Sequence, residues 1–107
     1  MVIRGGLAVL PSGQARVDVA IEDGVISAIG THVRDAGETI DATGLIVLPG
    51  VVDPHVHFNE PGREHWEGWD AGTRGAARAG VTTLLEMPHN AHPPTRTAEA
   101  FDAKLAI

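Results

Sequence analysis

The sequence predicts an α/β fold in two parts: a small unit of β-strands over residues 1–44, and over residues 45–107 two strands and two helices in βαβ order, the start of a larger parallel unit such as a barrel. Three observations carry this. Ala15, Val17, Val19 and Ile21 alternate with Gln14, Arg16, Asp18 and Ala20, the period of a sheet with one buried face. Leu45, Ile46, Val47 and Leu48 form an apolar run that resumes after Pro49-Gly50 at Val51-Val52, as in a strand buried on both faces of a parallel sheet. Beyond it helical and strand signals alternate, the order of βαβ packing.

Each element has its own signal. Pro11-Ser12-Gly13 closes a first strand, and Asp23-Gly24 marks the turn of a hairpin over residues 14–29, completed by Val25, Ile26 and Ile29. Asp41-Ala42-Thr43-Gly44 ends the β unit. Residues 66–79 read as a helix, with Trp66, Trp69, Thr73, Ala76 and Ala77 on one face. Glu67 and Asp70 early in it and Arg74 and Arg78 late suit the helix dipole, and Gly80 is its stop. Val81 to Met87 is the next strand, Pro88 ends it, and a second helix starts near Thr95. A complete barrel has eight strands and about 250 residues. The expectation for a chain of 107 residues is therefore a truncated or frame-shifted gene product.

Composition narrows the chemistry. With 43% hydrophobic and 21% charged residues the chain is globular rather than disordered. A net charge of −6 leaves no basic stripe to neutralise phosphates, which argues against nucleic acid and leaves a small neutral or anionic substrate open. Met1 to Gly6 forms no signal-peptide core, and no stretch approaches the roughly 18 apolar residues of a membrane span, so the expected location is cytoplasmic, with no membrane partner. There is no cysteine, so a metal would need histidine, carboxylate or modified lysine.

The sharpest motif is Asp53-Pro54-His55-Val56-His57, at the end of the buried strand. Alternate strand residues share a face, so Asp53, His55 and His57 point together, with the two histidine Cα atoms roughly 6 to 7 Å apart. Both imidazoles can reach one ion, at the end of a barrel strand where such active sites form. A bare His-x-His also arises by chance, but the preceding apolar strand and Pro-Gly set this one apart. On the same face Asp53 is expected to orient a histidine.

The stretch Gly50-Val51-Val52-Asp53-Pro54-His55-Val56-His57-Phe58-Asn59-Glu60-Pro61-Gly62-Arg63 resembles the metal-binding strand of the cyclic amidohydrolases, which include dihydroorotase, hydantoinase and allantoinase. The likeness continues through Trp66-Glu67-Gly68 and Gly80-Val81-Thr82-Thr83 to Met87-Pro88-His89-Asn90-Ala91-His92-Pro93-Pro94-Thr95. It implies a composite N-terminal β-sandwich domain, a (β/α)8 barrel, homo-oligomeric full-length enzymes, and two divalent metals, usually zinc, bridged by a carboxylated lysine. It further implies that His55 and His57 hold the more buried metal and that Asn90 orients the substrate. For Asn90 the resemblance favours this site reading over a loop residue bonding its own backbone, whereas for Asn59 the same two readings stand level.

Within the family, Asn59 stands where dihydroorotases carry a carboxylate-binding arginine, and one extra residue separates Pro88 from Asn90, as in allantoinases. Asn59 to Arg63 followed by Trp66-Glu67-Gly68 is likewise similar to allantoinases. His89 and Ala91 depart from that subgroup's leucine and serine. The resemblance therefore implies hydrolytic opening of allantoin to allantoate, in purine and ureide catabolism, with hydantoinase (dihydropyrimidinase) or dihydroorotase as sister readings and a non-catalytic binding module as another class. The only lysine, Lys104, comes too early to be the bridging one, and no catalytic residue is assigned. Weak metal binding and no turnover are expected of this polypeptide alone. His32 and His65 are expected to be exposed, His89 and His92 to be loop residues, Trp66 and Trp69 to pack in a core, and Glu86 to form a structural ion pair.

Overall fold

The computed structural model describes residues 1–34 and 37–107. They form two compact units, Met1–Pro49 and Gly50–Ile107.

The N-terminal unit is built of short strands: β1 (Val2–Arg4), β2 (Leu7–Leu10), β3 (Gly13–Arg16), β4 (Asp18–Glu22), β5 (Val25–Gly30), β6 (Thr39–Asp41) and β7 (Ile46–Val47). They make one sheet in the order β5-β4-β1-β6 and another in the order β3-β2-β7. The turn at Asp23-Gly24 is as expected: both residues have positive φ, 49° and 76°, the mirror-image turn whose twist matches an antiparallel pair. The continuous strand expected over residues 14–22 is divided. Residues 13–16 pair with β2 and residues 18–22 with β1 and β5, because the chain changes sheets at Val17. Asp18 secures this crossing, accepting from the backbone N–H of Gly5 at 3.0 Å and pairing with Arg4 at 2.7 Å. The buried side chains are small: Val2, Ala8, Val19, Ala20 and Ala42.

The run from Leu45 to Val52 is not one strand either. β7 pairs parallel with β2, whereas after Pro49-Gly50 the chain starts β8 (Val51–Val56), which pairs parallel with β9 (Val81–Glu86). Between these lies α1 (Gly68–Arg78), giving the βαβ unit, and α2 (Ala98–Leu105) follows. The expectation of a strand buried on both faces fails here: Val51 and Val52 are 50% and 58% exposed. Of the described strands only β9 is hydrogen-bonded to β8. The helices begin later than periodicity predicts. Thr97, not Thr95, caps α2, its hydroxyl accepting from the Ala100 N–H at 3.3 Å. Trp66 lies in a turn ahead of α1 and is 58% exposed with the Arg63 guanidinium over its ring, so it is no core residue; Trp69 packs inward against Phe58. Glu86 does form an ion pair, with Lys104 of α2.

Candidate functional site

The end of β8 carries the histidine pair. A strand's alternation turns His55 and His57 to one side, and their Nε2 atoms lie 3.2 Å apart, one imidazole able to donate to the other. Two nitrogens at about 2.0 to 2.1 Å from one tetrahedral ion would stand about 3.3 Å apart. The pair therefore fits two corners of such a site. Nδ1 of His57 is buried and lacks a hydrogen-bond partner among the described residues. Those residues bring no third histidine or carboxylate into a metal-ligating group with the pair. Asp53 does not orient an imidazole as expected; its carboxylate accepts from the backbone N–H of His55 at 3.1 Å, because a side chain this short folds onto its own strand.

The segment after β8 fixes the pair in place. Phe58 is 4% exposed, with its ring 4.7 Å from that of Trp69. It lies over Gly72 of α1, where an added Cβ would stand 2.2 Å from Phe58 Cδ1, so only glycine allows this approach. Asn59 turns the chain in the left-handed region, at φ 66°, and its amide donates to the His57 carbonyl at 3.1 Å. Its Oδ1 is buried and unpartnered among the described residues. Glu60 then accepts from the Trp69 N–H at 2.7 Å, serving the first turn of α1 where Glu67, the residue at the helix N-cap, makes no side-chain cap bond.

A second loop meets this one. The Met87 N–H donates to the Val56 carbonyl at 2.9 Å, and the His92 N–H to the Pro61 carbonyl at 2.7 Å. Gly62 permits the latter contact: its φ is 90°, and a Cβ there would fall 2.2 Å from the His92 oxygen. Asn90 lies half-buried in this loop, beside the fully buried Ala91. The structure thus sets His55 against His57 and Asn59 against the His57 backbone, and ties the Asn90 loop to theirs. It also sets the His89 ring 5.8 Å from that of His57, a proximity that loop residues give no sign of in the sequence. Phe58 and Glu60 were equally silent, since the partners that give them their roles lie in α1.

The chain belongs to the amidohydrolase family, whose model matches residues 46–107. The resemblance to cyclic amidohydrolases read from the sequence is borne out by its relatives. An allantoinase of Rubrobacter xylanophilus is 55% identical over 99% of this chain and 23% of its own length. One of Salmonella choleraesuis is 46% identical over 97% of this chain and 23% of its own. The chain thus spans less than a quarter of the curated relatives it matches. Among solved structures it is similar to an L-hydantoinase from Arthrobacter aurescens, with a TM-score of 0.83 and 35% identity over 96% of this chain and 23% of that one. A D-hydantoinase from Thermus sp. gives a TM-score of 0.77 at 28% identity, over 98% and 24% of the two chains. Among the described residues no helix is long and apolar enough to cross a membrane.

Proposed function

We propose that this chain is the N-terminal part of an allantoinase-like enzyme that hydrolyses a cyclic amide, allantoin to allantoate, in a (β/α)8 barrel. The observation that carries the proposal is the histidine pair, two Nε2 atoms 3.2 Å apart at the end of a βαβ strand, in a chain 55% identical to an allantoinase. His55 and His57 would hold a divalent metal, zinc by its preference for nitrogen ligands. Held there, the ion would supply Lewis-acid chemistry, polarising a ring carbonyl and easing the deprotonation of water. Asn59 contributes by bracing His57, its amide donating to the His57 carbonyl. Asn90 orients the ring, its amide able both to donate and to accept. The sister reading, a hydantoinase, is favoured by the solved neighbours, and allantoin and hydantoins share one ring.

Two experiments test this. In the 107-residue chain, Zn²⁺ titrated against the histidine ring resonances should move His55 and His57 together, weakly, and His55→Ala or His57→Ala should abolish the response of the other ring. Ring shifts confined to His32 or His65 would overturn the metal assignment. For the parent enzyme, assays on allantoin, hydantoin and dihydroorotate decide the substrate; turnover of dihydroorotate alone would sink the allantoinase reading.

A further inference from the structure

We propose that Glu60 is a positioning residue for the histidine pair: its carboxylate clamps the segment leaving β8 to the first turn of α1, and through that clamp the two imidazoles keep their mutual approach. The inference rests on the reading of His55 and His57 as metal ligands. It concerns a side chain whose own bond goes to α1 rather than to an imidazole.

The first backbone N–H groups of a helix have no partners inside it. In α1 the residue at the N-cap, Glu67, makes no side-chain bond to them. The segment leaving β8 serves them instead: the Gly68 N–H donates to the Phe58 carbonyl at 2.9 Å, and the Trp69 N–H to Glu60 Oε2 at 2.7 Å. A carboxylate there also meets the positive end of the helix dipole. Gly68 makes room for it, at φ 81° and with the place of a Cβ only 3.2 Å from Glu60 Oε2. The next residue back, Asn59, turns the chain at φ 66° and donates its amide to the His57 carbonyl at 3.1 Å. A run of directional bonds therefore leads from α1 to the backbone of His57. The apolar contact of Phe58 holds strand and helix together but is non-directional, so it is the bond at Glu60 that sets the angle of the strand end.

The test reads the 107-residue chain by NMR, first without metal and then with Zn²⁺. With ring centroids 5.1 Å apart, His55 and His57 should give a cross-relaxation peak between their ring protons. Glu60→Ala should lose or strongly weaken that peak, whereas Glu60→Gln, which keeps an oxygen for the Trp69 N–H, should retain it. Asp70→Ala removes an exposed carboxylate from the same helix turn and should retain the peak while weakening the helix end. With Zn²⁺, Glu60→Ala should bind about 3- to 10-fold more weakly, the size of a lost cap interaction. Should Glu60→Ala fail to fold, Glu60→Asp, one methylene shorter, is expected to weaken the peak in the same way. A peak unchanged in Glu60→Ala or Glu60→Asp, lost equally in Asp70→Ala, or not kept by Glu60→Gln overturns the proposal. Histidine rings that ignore Zn²⁺ in the unaltered chain would overturn the metal reading instead, and the metal-free comparison would still decide the role of Glu60.

Discussion

Among the described residues of the N-terminal unit nothing larger than a valine is a buried apolar side chain, and order comes from strand ladders; in the C-terminal unit a phenylalanine ring is pressed onto a glycine of α1 and against the ring of Trp69. The first arrangement tolerates small adjustments, because a ladder spreads its hydrogen bonds over many residues. The second concentrates position in few contacts. It is the second that holds the histidines, which have to stay within a few tenths of an ångström of each other to share a ligand.

The sharpest way to break this comparison is Phe58→Ala. Loss of a buried aromatic ring costs about 3–5 kcal/mol, and here it also frees the strand end that carries His57. Both tryptophans lie in the C-terminal unit, so the urea midpoint followed by their fluorescence should fall markedly. A midpoint unchanged from the parent would mean that Phe58 is not the wedge. A smaller effect is expected of Gly24→Ala in the hairpin turn: at φ 76° an alanine costs about 1–2 kcal/mol, to be read as faster amide exchange in β4 and β5. If that variant proved as damaging as Phe58→Ala, the contrast between ladder and wedge would collapse.

The smallest effect concerns acid. The Gly62 N–H, donating to the Glu64 carboxylate at 2.6 Å, holds that group below its ordinary range, with its own backbone N–H and the nearby His65 adding to the shift. A depressed folded-state pKa means a contribution fully present above the unfolded value, near 4.5, and lost as pH falls through the lower folded one. The Gly62 amide resonance should therefore follow a titration centred below that value, and Glu64→Gln should remove it. A midpoint at or above it would contradict the hydrogen bond.

Local signals in the sequence located the turn at Asp23-Gly24, the βαβ order and the strand that presents His55 and His57, because each depends on residues close together in the chain. Partner choice was not legible. Nothing in an apolar run says that Ile46 pairs with a strand of one unit while Val51 starts a sheet in the other, and the period of residues 14–22 conceals a change of sheet at Val17. Likewise Glu86 signalled the need for a partner but not which one, since Lys104 is brought to it only by the packing of α2. Trp66 misled for the opposite reason: a large apolar residue in register with a helix face stands in fact before the helix begins.

Glu60 has one more consequence. The segment after Phe58 is tied off twice, by the Gly68 N–H on the Phe58 carbonyl at 2.9 Å and the Trp69 N–H on Glu60 at 2.7 Å, so residues 61–67 form a closed bight whose two ends are knotted at its base. Pro61 and Gly62 within it hold the His92 loop, but residues 63–67 can be lengthened or rewritten without disturbing what lies beneath the knot. Residues 63–67 are therefore a natural cassette, where a lineage or an engineer can exchange sequence while the imidazoles themselves keep their places.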